Sequence, residues 1–449
     1  MKRPWLLPPL LFACVFCAYV ASPIATPFDS RWTIHTALSL IHHGDVDLNE
    51  YEPILARDRF YATECMLPDG ERIYSIKTIG SCPGGHLYHF YPVAVPLLAA
   101  PLVAALEGGI HLAQPVLRPW AESLPPGFRR SLFEGDLVAA SMPAELIIAS
   151  FFVALAAVVV FLLARDYTNW PAALFLALIF AFATPAWSTG SRALWMHGFS
   201  MLLLPSALWA MLRRRWALAG ALLALAFFCR PTNVVPLALA AAWALWQGRS
   251  AAFRFAAGAA PVAAVFIAIN FACYGTPLAP FFFVKRPGAG SLSFHPRIGE
   301  ALLGNLISPS RGLFVFSPIF LFSLYGLWLW LRNRETHLPG AWLTAVLVGH
   351  YLLMCTYEDW FGGHSYGPRY MSDMSSLLTI ALIPVLPLLR AWWPRALFAP
   401  ALAISLFMHA QGAWCWPCVD WNTTPVEIGH SQYRLWNWRD PSFLRNLLP

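Results

Sequence analysis

Apolar residues in this chain come in long runs rather than at spaced intervals. The first run extends from Leu6 to Ala25. Others follow at about 140–164, 172–189, 198–212, 216–234, 235–248, 256–274, 313–331, 340–356, 374–389 and 396–414. Most approach the ~20 apolar residues that a helix needs to cross ~30 Å of hydrocarbon. The period-two alternation of a transmembrane β-barrel is absent. The pattern predicts an all-α polytopic membrane protein with about eleven transmembrane helices.

Residues 27–136 form the longest region outside these runs. It opens with a predicted helix whose cap is Asp29 or Ser30. Ile34, Ala37, Leu38 and Ile41 share one face of it, and His35, Ser39 and His42 lie opposite, the spacing of a helix lying in the membrane interface. Gly44 ends it, and Asp45, Asp47 and Glu50 follow in a polar stretch. Residues 92–110 are apolar enough to pass for another span.

The arginines decide that question. Arg165, Arg213 to Arg215, Arg249 and Arg254, Arg332 and Arg334, and Arg390 and Arg395 fall in alternate loops, hence on one side, the cytoplasm. The 140–164 run must then travel inward, so 92–110 re-enters or lies in the interface. Lys2 and Arg3 before the first run put the N-terminus inside, and the count puts the C-terminus outside. The first run reads as a retained anchor rather than a cleaved signal, because it is long and its far boundary is Pro-rich, not of A-x-A type. The expected divisions are a first transmembrane helix (1–26), a large extracytoplasmic loop with interfacial or re-entrant helices (27–136), a transmembrane bundle (137–414) and an extracytoplasmic tail (415–449). The expected location is a bacterial cytoplasmic (inner) membrane.

Composition agrees. Only 12% of residues are charged, against about 25% in soluble domains. The formal net charge of +7 is explained by sidedness and is no sign of nucleic-acid binding. Cys65 and Cys82 share the first external loop, and Cys415 and Cys418 form C-W-P-C at the head of the tail, so both pairs are disulfide candidates. A redox-active or zinc-binding C-x-x-C is the alternative, but no second pair of ligands stands at metal spacing, and no metal or cofactor is expected.

Arg31, Arg192, Arg230, Arg311, Arg369 and Arg434 all fall on the outer side, where the positive-inside bias disfavours them. Several stand beside Pro or Gly, as in Cys229-Arg230-Pro231-Thr232, Ser308 to Gly312 and Gly367-Pro368-Arg369-Tyr370. Arginine suits bidentate capture of phosphate oxygens. Any one of these side chains can instead snorkel to headgroups, but several facing one outer cavity point to an anionic ligand. Asp29 stands where the chain leaves the membrane, either as a cap or as a reactive carboxylate. Glu358 and Asp359 lie at a span end. His197, His364 and Tyr366 complete the candidates for acceptor-side or secondary roles.

An acidic residue directly after the first span, a long first external loop and Arg-bearing outer loops resemble the GT-C glycosyltransferases. The segments His89-Phe90-Tyr91-Pro92, Arg230-Pro231-Thr232, Ser308 to Gly312 and Trp360 to Tyr370 are similar to the bacterial members related to the dolichyl-phosphate-mannose-protein mannosyltransferase and aminoarabinose transferase group. The resemblance covers most of the chain and says little about the sugar. It implies a polyprenyl-phosphate-linked sugar donor, transfer outside the membrane to a glycan, lipid or protein acceptor, Asp29 as the catalytic acid residue, and Lys77 as a basic residue at the donor phosphate. Many relatives carry a second acid in the next external loop, but Ser188 to Ser200 has none. One general base suffices, since a phosphate leaving group departs without a proton. A transporter or flippase would show an internal duplication or acids buried mid-span, and a ligase or polymerase would concentrate its loop residues later in the chain.

Overall fold

The computed structural model describes residues 6–74, 82–279 and 297–447. The protein is mostly helical. The first run forms α1 (Leu7–Ala21). The loop that follows holds α2 (Thr33–His42), α3 (Glu52–Arg57), α4 (Ala94–Ser123) and α5 (Phe128–Glu134). The remaining runs give α6 (Ser141–Arg165), α7 (Trp170–Phe182), α8 (Met196–Leu212), α9 (Trp216–Cys229), α10 (Val234–Trp246) and α11 (Arg249–Tyr274). Then come α12 (Ile298–Ile307), α13 (Leu313–Phe316), α14 (Phe320–Arg332), α15 (His337–Cys355), α16 (Ser375–Ala381), α17 (Trp392–Trp414) and α18 (Trp416–Asp420).

Among the described residues, α4, α6, α11, α15 and α17 are each long and apolar enough to cross a membrane. Residues Arg369–Ala381 and Ile383–Arg390 add a sixth if their 50° bend is counted within one span. α1, α7, α9, α10 and α14 are shorter than their apolar runs, and proline explains several of the breaks. α9 stops at Cys229 because Arg230, which precedes Pro231, is driven to extended backbone (φ −150°, ψ 113°). The 313–331 run breaks at Ser317-Pro318, and α7 gives way at Pro185 to a π-turn over Ala186–Gly190. α6, 25 residues and about 38 Å long, is the centre of the bundle. α1, α7 and α8 pack on it directly, and the short α16 wedges against α6, α7, α8 and α14.

Two expectations need correction. The chain is not all-α: the first loop contains an antiparallel sheet of β1 (Thr63–Met66), β2 (Arg72–Tyr74) and β3 (His86–His89) in the order β2-β1-β3. A disulfide joins Cys65 of β1 to Cys82, just ahead of β3. α2 is also not a helix with one wet face. Thr33 to Ser39 are all buried, because α4 and α6 pack on α2 and the His35 ring sits between Trp32 and Tyr51 at 5.1 Å from each centroid. α4 extends beyond the 92–110 segment. Its first part packs under α2, whereas Leu112, Val116 and Trp120 in its second half are exposed.

Candidate functional site

Asp29 lies in the turn between α1 and α2. Its carboxylate is not the cap of α2: Trp32 holds the N-cap position with no side-chain capping bond, and the Thr33 amide donates instead to the Ser30 carbonyl at 2.8 Å. With the cap role removed, the carboxylate is turned the other way. One oxygen forms an ion pair with the Arg369 guanidinium, and the other accepts from the Tyr61 hydroxyl at 3.3 Å. The Asp29 carbonyl faces His89 Nε2 at 2.9 Å. Tyr61 and His89 arrive from the sheet region, where Thr63 is opposite His89 and the Phe90 amide donates to the Ala62 carbonyl. The sheet therefore anchors the Asp29 turn from above.

Arg369 reaches Asp29 from the far end of the chain through the loop Trp360 to Pro368. Gly362 and Gly363 both have left-handed backbone (φ +73° and +63°), a conformation that glycine adopts without penalty. The resulting turn aims successive carbonyls at two guanidiniums. The Phe361 and Gly363 carbonyls accept from Arg311 at 2.7 and 3.0 Å, and the Gly362 carbonyl accepts from Arg369 at 3.3 Å. The Arg369 guanidinium also stacks on the Trp195 indole, 4.0 Å from its centroid. Asp29, Ser30, His89, Tyr91, Trp195 and Arg369 are among the residues that line one small, partly open pocket.

Behind the pocket is a buried set of charges. Arg369 Nε lies 3.3 Å from His197 Nε2. The other nitrogen of that ring, Nδ1, lies 2.8 Å from Asp373 Oδ1. Asp373 Oδ2 is 2.6 Å from Arg230 Nε and 3.5 Å from His350 Nε2. Asp373, His197 and His350 are wholly buried. Two carboxylates and two guanidiniums thus alternate through His197, so the set is electroneutral with both imidazoles uncharged, as burial requires.

The arginines expected on the outer side do not gather around one cavity. Arg369 lines the pocket and Arg230 stands behind it. Arg192 is buried elsewhere, donating to the Tyr19 and Ser22 carbonyls at 2.6 and 2.9 Å, and so satisfies the carbonyls at the C-terminal end of α1. Arg311 ties the glycine loop to the tail through Asn422 Oδ1 at 2.6 Å. Arg434 donates to the Val426 and Thr424 carbonyls inside the tail. Arg31 pairs with Asp58 at 3.1 Å on the surface. Arg192, Arg311 and Arg434 share one physical reason: a buried guanidinium needs acceptors, and backbone carbonyls at chain breaks supply most of them. Lys77 lies outside the described residues. Glu358 is exposed and Asp359 half-buried, and neither lines the pocket. His364 pairs with Glu427 at 3.2 Å, and the buried Tyr366 donates to the Met408 carbonyl at 2.7 Å. Cys415 and Cys418 are joined in a second disulfide at the start of α18. Among the described residues no three His, Cys, Asp or Glu side chains converge as a metal site.

Sequence reasoning missed Tyr61, Trp195, His350 and Asp373 as neighbours of the site, and Glu145 as its support. Glu145 carried a readable signal, being the only charged residue within the 140–164 run, where an ionisable group is costly. Asp373 had a weaker one, one helical turn after Arg369 at the head of an apolar run. No protein-family model matches the chain, and no curated protein is significantly similar to it.

Proposed function

We propose that the protein is a membrane-embedded glycosyltransferase that moves a sugar from a polyprenyl-phosphate donor to an extracytoplasmic hydroxyl acceptor, with Asp29 as general base. The observation that carries this reading is the Asp29 carboxylate, paired with Arg369 and Tyr61 at a pocket walled by Trp195, His89 and Tyr91. An acceptor hydroxyl gives its proton to Asp29 as its oxygen bonds the anomeric carbon. The bond from that carbon to the phosphate oxygen breaks on the opposite side, and the phosphate leaves as an anion, with inversion. Arg369 supplies a guanidinium fork for the charge that develops, and the aromatic faces suit a sugar ring. The membrane frame belongs to the same proposal: about eleven crossings in a bacterial cytoplasmic membrane, the N-terminus inside, and α4 along the outer interface. Exposed Trp392 and Trp393 at one end of α17 and Trp414 and Trp416 at the other support two interfaces ~33 Å apart.

The test is Asp29→Asn in proteoliposomes at saturating donor, with donor affinity measured separately. Asn keeps the shape but cannot accept the proton, so transfer should fall at least ~100-fold while the donor still binds. Transfer at the parental rate would remove Asp29 as the base. A second reading, a transporter of the lipid-linked sugar, is favoured by one observation: Asp373, Arg230, His197 and His350 are titratable groups buried inside the bundle, where such groups mark translocation pathways. It predicts movement of a labelled polyprenyl-phosphate sugar across sealed liposomes with no acceptor present.

A further inference from the structure

Glu145 is 1% exposed and stands in the first turns of α6, below the pocket floor. Its Oε1 accepts twice: from the Ser30 hydroxyl and from the Leu194 amide, the latter at 2.7 Å. Each of those bonds lands beside a group that the pocket depends on. Ser30 follows Asp29, and Leu194 precedes Trp195, the platform under the Arg369 guanidinium. One carboxylate oxygen therefore ties three separate segments together, the Asp29 turn, the head of α6 and the segment entering α8. The other oxygen, Oε2, is buried with no hydrogen-bond partner. A carboxyl in that position is costly, so packing alone gives no reason for one here.

We propose that Glu145 is a positioning residue that sets the approach of Asp29 to Arg369 by holding both the Asp29 turn and the Trp195 platform to α6. It touches neither reacting group and acts through Ser30 and Leu194. The proposal rests on the reading of Asp29 and Arg369 as the site's working pair, but its first test does not need the transferase activity. The coupling between Asp29→Asn and Arg369→Gln is read as the non-additivity of their thermal midpoints in the detergent-purified protein. It is measured in the parent and again with Glu145→Gln, Glu145→Asp or Glu145→Ala present. Gln retains an oxygen that accepts from both donors, so Glu145→Gln should keep the coupling. Asp is one methylene short of spanning both donors, so Glu145→Asp should lose most of it, and it stands in for Glu145→Ala if that variant does not fold. Coupling that survives Glu145→Asp, or that Glu145→Gln abolishes, overturns the proposal.

The second test is kinetic. Glu145→Asp should lower kcat of sugar transfer by ~10²-fold, the cost of an ångström of misplacement, with KM for the polyprenyl-phosphate donor little changed, and Glu145→Gln should recover most of kcat. An equal loss across both variants, or a loss confined to KM, also overturns it. If the parent protein transfers no sugar, the transferase reading fails, while the coupling measurement still decides whether Glu145 positions the pair.

Discussion

Asp373→Asn tests whether the charges behind the pocket act as one unit. Asn matches the carboxylate in shape and can still accept from His197 Nδ1, but it removes the only counter-charge that Arg230 touches among the described residues, at 2.6 Å. At that distance the Coulomb attraction is about 6 kcal/mol for an effective dielectric of about 20. Desolvation of both ions offsets part of this, and breaking one side of such a pair costs about 3–5 kcal/mol because the remaining charge stays buried. Arg230 is 5% exposed and cannot relax into water without opening the bundle. The single variant should therefore lower the thermal midpoint of the detergent-purified protein by several degrees. Adding Arg230→Gln should restore part of that loss, because the stranded charge is then gone. An Asp373→Asn protein within about 1 kcal/mol of the parent, or a double variant whose loss is the sum of the two singles, would refute the account of Asp373 as the counter-ion of Arg230.

Three further expectations follow from the same geometry. Arg311→Lys should destabilise the docking of the tail, seen as faster proteolysis after residue 415, while leaving donor affinity unchanged, because one ammonium cannot serve the four acceptors of the Arg311 fork. Burial raises the Glu64 carboxyl to about 8, with Arg72 opposing. The folded loop then binds a proton that the unfolded chain releases above its usual carboxylate range. Stability should fall by up to about 1.4 kcal/mol per pH unit as pH rises from about 4.5 to about 8, and Glu64→Gln should flatten that slope in thermal melts. Replacing Cys65 and Cys82 together by Ser opens a bridge of sequence separation 17, worth about 3 kcal/mol in the chain-entropy account, and should loosen the sheet in hydrogen exchange before it affects α6.

Much of the architecture was legible in the chain by itself because it depends on local composition. An apolar run becomes a helix in whatever bundle it joins, since its backbone groups must be satisfied within the segment. Proline reads as a break in the sequence only at Pro231; the runs 172–189 and 313–331 look continuous, and the fold shows them interrupted at Pro185 and Pro318, where the ring on the nitrogen disrupts the helix. Asp29 stands out as a candidate for the same kind of reason: a carboxylate directly after the first apolar run is conspicuous without any knowledge of its partner. What it pairs with is not. Arg369 is 340 residues away, Asp373 is 176 from His197, and Ser30 is 115 from Glu145. No periodicity reaches that far, and six arginines expected on one side look alike in one dimension. Only the packed bundle separated them, turning Arg369 toward a pocket, backing Arg230 with a buried carboxylate, and giving Arg192 and Arg311 the backbone carbonyls of a helix end and a glycine turn. A guanidinium must find acceptors when it is buried, and which acceptors stand within 3 Å is a property of the fold.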